Sequence, residues 1–72
     1  MKQFNQFSFE KNLLNKMLRQ KTHRRRYFNL LLGRSRSHLR SIGLVESHIN
    51  AIIEGVWDMW DLLRQCGVEN YE

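Results

Sequence analysis

Val45, Ile49, Ile52, Ile53, Val56, Trp60 and Leu63 recur at helical spacing, and this stripe constrains the fold more than any other feature of the chain. A helix with one such face is stable in water only if other apolar surface covers that face. Opposite the stripe stand Glu54, Asp58 and Asp61, also at helical spacing, so one side is committed to a core and the other to solvent. The predicted helix runs from about Glu46 to Cys66 and stops at Gly67. Gly55 inside it costs about 1 kcal/mol relative to alanine unless a neighbour packs close.

The cover must come from the N-terminal half. Leu13, Leu14, Met17, Leu18, Phe28, Leu31 and Leu32 fall on one side of a helical wheel, and nothing in "RQKTHRRR" is a helix breaker. The pattern predicts one continuous first helix from Ser8 or Phe9 to Leu32, with Ser8 as N-cap and Gly33 just past its end. Lys21 and Arg24 fall within the apolar stripe, so either the helix breaks there or their long side chains reach out from under it; the absence of a breaker favours the continuous helix. "GRSRS" reads as a basic connector, and a short second helix follows, capped by Ser37 and ended by Gly43. "MKQFNQF" suits either a fraying arm over residues 1–8 or a short strand.

The expectation is therefore an all-α fold: a long basic helix, a short helix and an amphipathic third helix packed as a hairpin, in one small domain over residues 1–72. A chain of 72 residues buries only about 60% of its unfolded surface, too little to carve a deep active-site cleft. No proline interrupts it. A single cysteine, Cys66, excludes an internal disulfide and fits a reducing cytoplasm. No apolar run approaches the ~20 residues of a membrane span, and the N-terminus has no secretory pattern.

Charge is divided unequally. Ahead of Leu44, eleven Lys and Arg stand against Glu10 alone, a net of +10. From Leu44 on, Arg64 stands against six carboxylates, a net of −5. Such a division points to a polyanion, an anionic membrane surface or a charge-matched protein as partner. On a continuous first helix Lys16, Arg19, His23 and Arg26 share one face, over ~15 Å at ~1.5 Å per residue. Lys21 and Arg25 widen that face, and Arg24, Arg34, Arg36 and Arg40 add to the charge. Guanidinium groups match phosphate with a planar fork, and phosphate contacts supply the sequence-independent part of nucleic-acid affinity. Tyr27 could stack on an unpaired base, or it could lie at the edge of a core that holds Phe28. A membrane-surface reading would use Phe4, Phe7 and Phe9 with "LLNKMLR", but those side chains are also the available cover for the third helix.

His23, His38, His48 and Cys66 show no metal-ligand spacing, and Ser47 beside His48 points in a different direction on a helix. Neither a catalytic constellation nor a cofactor, metal or small-molecule substrate is expected. Trp60 lies in the apolar stripe. Trp57 lies at its border, where it is either packing or an anchor for a partner.

"RRRYFNLLLGRSRSHLRSIGLVESHI", Arg24 to Ile49, resembles the YjiS-like family of small arginine-rich bacterial proteins, a domain of unknown function. The family pattern joins an arginine-rich helix through a Leu-containing link to a motif close to Leu-Arg-Asp-Ile-Gly-Leu. Leu39, Arg40, Ile42, Gly43, Leu44 and Ile49 match it, Ser41 replaces the usual Asp, and the link from Gly33 to Ser37 is longer than the family's. The resemblance implies RNA binding, RNA turnover and stress or nutrient adaptation, with which some members are linked. It does not reach the helix that carries both tryptophans. The function expected from these readings is that of a cytoplasmic, non-enzymatic regulatory protein that binds RNA. The alternative is a protein-binding adaptor or inhibitor, including one of phage origin, or a homo-oligomer, using Trp57, Glu54, Asp58 and Asp61.

Overall fold

A computed structural model describes residues 4–20 and 25–71. These form three α-helices: α1 (Gln6–Leu18), α2 (Arg25–Ser41) and α3 (Glu46–Gln65), with no strand among the described residues. The all-α expectation holds, and α3 packs against both of its neighbours. Phe9 of α1 lies 6.3 Å from His38 near the end of α2, so these two helices run antiparallel. Phe28 meets Trp57 and Trp60, whereas Arg36 and Arg40 meet Asn50 and Glu46, so α2 and α3 are antiparallel as well.

The stripe of α3 is its spine. Ile49, Ile52, Ile53, Val56, Trp60 and Leu63 are buried. Val45 is the exception: it precedes the first turn in extended conformation and is 65% exposed. Leu13, Leu14 and Met17 of α1 and Phe28, Leu32 and Leu39 of α2 complete one core.

The first helix is not continuous. It ends at Leu18, with Arg19 as C-cap, and the chain resumes as a separate helix at Arg25. Lys21 and Arg24, expected to reach out from under the stripe, lie outside the described residues, as does His23. Two physical terms favour a break. A straight helix from residue 8 to 32 would place cations on the core face and like charges four residues apart, as at Lys21 and Arg25. It would also be ~37 Å long and lie along only one flank of α3, whereas two antiparallel pieces cover both flanks.

Gly33 and Ser37, expected as a stop and a cap, both lie inside α2. Phe28, Leu32 and Leu39 recur at i, i+4 and i+11, and burying them outweighs the propensity cost of one glycine. Ser35 gives up its competition with the backbone by donating to the Leu31 carbonyl at 2.9 Å. At the other end of the chain, the N-cap of α1 is Asn5 rather than Ser8: its side chain accepts from the Ser8 amide at 3.0 Å.

The expected stops at Gly43 and Gly67 hold, with φ of 98° and 72°. Each sits in the same hydrogen-bond pattern. The Gly43 amide donates to Arg40 and the Leu44 amide to Leu39; the Gly67 amide donates to Arg64 and the Val68 amide to Leu63. This is the Schellman arrangement, in which the left-handed residue lets the last carbonyls be satisfied.

Beyond α3 the chain returns to α1. The Asn15 side chain donates to the Tyr71 carbonyl at 2.9 Å and accepts from the Tyr71 amide at 2.7 Å.

Gly33 and Gly55 have no atom within 4 Å of where a Cβ would stand, so neither helical glycine is required by a neighbour. Gly33→Ala and Gly55→Ala should each stabilise the fold by about 1 kcal/mol, read from chemical denaturation of each variant beside the parent.

Candidate nucleic-acid interface

α2 carries no acidic residue along its whole length, and its core face fixes where its cations point. With Phe28, Leu32 and Leu39 inward, Arg26 and Arg34 fall on the opposite, solvent-exposed side. Neither makes an ion pair or a side-chain hydrogen bond among the described residues. Arg34 lies two turns beyond Arg26, ~12 Å along the axis. Tyr27 stands on the flank of this face, two turns before Arg34. It is half-buried, with its ring 6.0 Å from Phe28 in an edge contact, so part of its stacking surface is already occupied.

The other two described cations of α2 turn toward α3. Arg36 Nη1 donates to Asn50 Oδ1 at 2.5 Å. Arg40 Nε pairs with Glu46 Oε1 at 2.5 Å, both side chains more than half exposed. The Arg40 hydrogen bond is the main cause that holds the Glu46 carboxyl below its ordinary range; partial desolvation opposes it, and the charges of Arg40 and Arg36 assist it. The same bond raises Arg40 above its ordinary value. A depressed carboxylate stabilises the fold above its unfolded pKa, and that contribution fades as pH falls through the folded value. The melting difference between the parent and Glu46→Gln should therefore be present at neutral pH and shrink as the carboxylate range is crossed downward.

The motif "LRSIGL" is thus a corner with a job in folding. Leu39 is fully buried, Arg40 ties α2 to the start of α3, and Gly43 turns the chain. Ser41 Oγ donates to the His38 carbonyl at 2.6 Å, a second bond beside that of the Ile42 amide and one that an ionised Asp could not donate.

Lys16 and Arg19 are exposed at the end of α1 beside a shallow polar hollow shared with Asn12 and Asn15. The break after Leu18 separates them from Arg26, so the expected single-helix stripe of Lys16, Arg19, His23 and Arg26 does not exist. Lys16 belongs to α1, Arg19 caps it, and Arg26 belongs to α2. Lys21 and Arg24 lie outside the described residues; Arg25 opens α2, and its side chain lies outside them too.

The residues expected to meet a protein partner divide into two kinds. Glu54, Asp58 and Asp61 form an exposed acidic spine on α3. Trp57 is partly buried and stands edge-on to Phe28 at 5.9 Å and to Trp60 at 5.7 Å, a packing position at the rim of the core. Reasoning from sequence missed the exposed Leu30 between Arg26 and Arg34, and a groove between α1 and α3 lined by Phe7, Glu10, Leu14, Gly55 and Met59. The i, i+4, i+8 spacing of Arg26, Leu30 and Arg34 was the signal for the first.

Among the described residues, no helix is long and apolar enough to cross a membrane, and no three His, Cys, Asp or Glu side chains gather as a metal site. No protein-family model, no curated protein and no solved structure matches the chain.

Proposed function

We propose that this chain is a small, cytoplasmic, non-enzymatic regulatory protein that binds RNA through the basic outer side of α2. Arg26 and Arg34 grip phosphates, with Lys16 and Arg19 of α1 and the cationic segment Lys21, Arg24 and Arg25 extending the contact. Tyr27 offers the remaining edge of its ring to an unpaired base. The observation that carries this reading is the contrast within one acid-free helix: Arg36 and Arg40 are engaged with α3, whereas Arg26 and Arg34 face solvent without a carboxylate partner among the described residues. The resemblance over Arg24 to Ile49 to the YjiS-like family supports the same assignment.

The test is anisotropy of labelled single-stranded RNA across a salt series. For Z phosphates neutralised, the log–log slope should be about −0.7Z. Replacing Arg26 and Arg34 with Gln together should flatten it by roughly one to two units, since each removes about one phosphate contact. Arg40→Gln should flatten it less. A slope near zero for the parent ends the proposal.

A further inference from the structure

The start of α1 and the end of α2 leave a hollow of about 630 Å³ between them, lined by Phe4, Ser8, Phe9, Asn12, His38 and Ile42. Its size lies within the ~300–1,000 Å³ of small-ligand pockets. The Phe9 and His38 rings are nearly parallel, 13° apart in plane with centroids at 6.3 Å, and Phe4 tilts against Phe9 at 5.8 Å. Two ring faces in one orientation suit a third flat ring better than an aliphatic chain. Asn12 is exposed, and its amide offers two donors and an acceptor. Among the described residues, neither that amide nor the Ser8 hydroxyl nor the His38 ring spends a hydrogen bond on the fold. The lining holds no carboxylate. Glu10, the one acid of α1, lines the groove against α3 instead and accepts from the Gln6 amide at 3.1 Å.

What adjoins the hollow indicates its occupant. Asn12 also lines the polar hollow that holds Asn15, Lys16 and Arg19, so the two hollows are neighbours along α1. From the Phe9–His38 pair, Lys16 lies seven residues farther along α1, and Arg34 four residues back along α2. The two helices are antiparallel, so both displacements point the same way, ~10 Å and ~6 Å along their axes. A site for a flat ring therefore opens onto cations from both helices, and no acid lines either hollow. A nucleotide has the matching composition: a planar base with donors and acceptors on its edge, joined to a phosphate. We infer, resting on the RNA-binding reading, that this hollow holds one unpaired base of single-stranded RNA. The base stacks on Phe9 and His38 and meets the Asn12 amide with its edge, while the adjoining phosphates run toward Lys16, Arg19 and Arg34. This base site is separate from Tyr27, whose ring is partly covered by Phe28.

The experiment is competition against labelled single-stranded RNA on the full chain, with two competitors of equal length and charge. One is oligouridylate; the other is the same phosphate chain with a stable abasic ring in place of every nucleoside. The parent should prefer the base-bearing competitor by at least about fivefold, the lower end for one stacked base. Asn12→Ala combined with His38→Ala changes two exposed helical positions to the best helix former, so the fold should stand. That double variant should lose at least about fivefold of the preference while its salt slope stays that of the parent. Phe9→Leu removes a stacking ring, keeps an apolar contact, and should lower the preference as well. A preference that survives undiminished in either variant overturns the inference. A parent that binds both competitors equally, with a steep salt slope, overturns this inference alone and leaves the phosphate grip of the proposed function standing. A slope near zero ends both.

Discussion

Trp60→Ala should cost about 3–5 kcal/mol and leave much of the population unfolded at physiological temperature. The indole is 8% exposed and meets two rings edge-on, Phe28 at 5.3 Å and Trp57 at 5.7 Å. Arg64 covers it from outside, with Cζ 5.0 Å from the ring centroid. Truncation therefore empties the place where α2 and α3 meet and leaves Phe28 facing a void. Domain stabilities run about 5–15 kcal/mol, and a chain this short belongs toward the low end, so the loss consumes most of the margin. Trp57→Ala removes a partly buried ring from the edge of the same cluster and should cost clearly less. Urea melts of both variants decide. Equal losses would place Trp57 as deep in the core as Trp60 and would leave the adaptor reading without its aromatic anchor.

Leu39→Ala should cost about 2–5 kcal/mol, while Ile42→Ala three residues later stays within about 0.5 kcal/mol of the parent. Leu39 has no exposed surface, and its carbonyl accepts the Leu44 amide that closes the corner after α2. Ile42 is 43% exposed. The pair tests whether the segment from Leu39 to Leu44 acts as a folding corner. If the corner were loosely packed, the two substitutions would melt alike.

What could be read from the sequence was what local pattern determines. The apolar stripe of α3 needed only its own periodicity, and six of its seven positions are buried. Gly43 and Gly67 were legible because a left-handed residue after a helix favours glycine whatever the helix packs against. Lys21 and Arg24 within the stripe left a break open, but no residue there disfavours helix, so the break after Leu18 could not be decided locally. It follows from how much of α3 must be covered, a property of the assembled domain. Gly33 misled for the converse reason: its local signal was real, and the burial of Leu32 and Leu39 on either side overrode it. The charge asymmetry was plain in the sequence, but which arginines are engaged was not. Arg40 and Glu46 meet because the corner brings α3 back beside α2, and nothing in their spacing announces it.

The pairing of Asn15 with Tyr71 joins residues 56 positions apart, and this bears on the order in which the molecule assembles. Closing so long a loop in an extended chain costs several kcal/mol of entropy, on the order of (3/2)RT ln n, before either bond forms. Once α3 lies alongside α1, the remaining gap is only the few residues from Gln65 to Tyr71. The clasp is therefore a late event in folding and an early one in unfolding. The Tyr71 amide, which belongs to no helix, becomes a reporter in hydrogen exchange: its protection rises and falls with the docking of α1 on α3, not with the helicity of either.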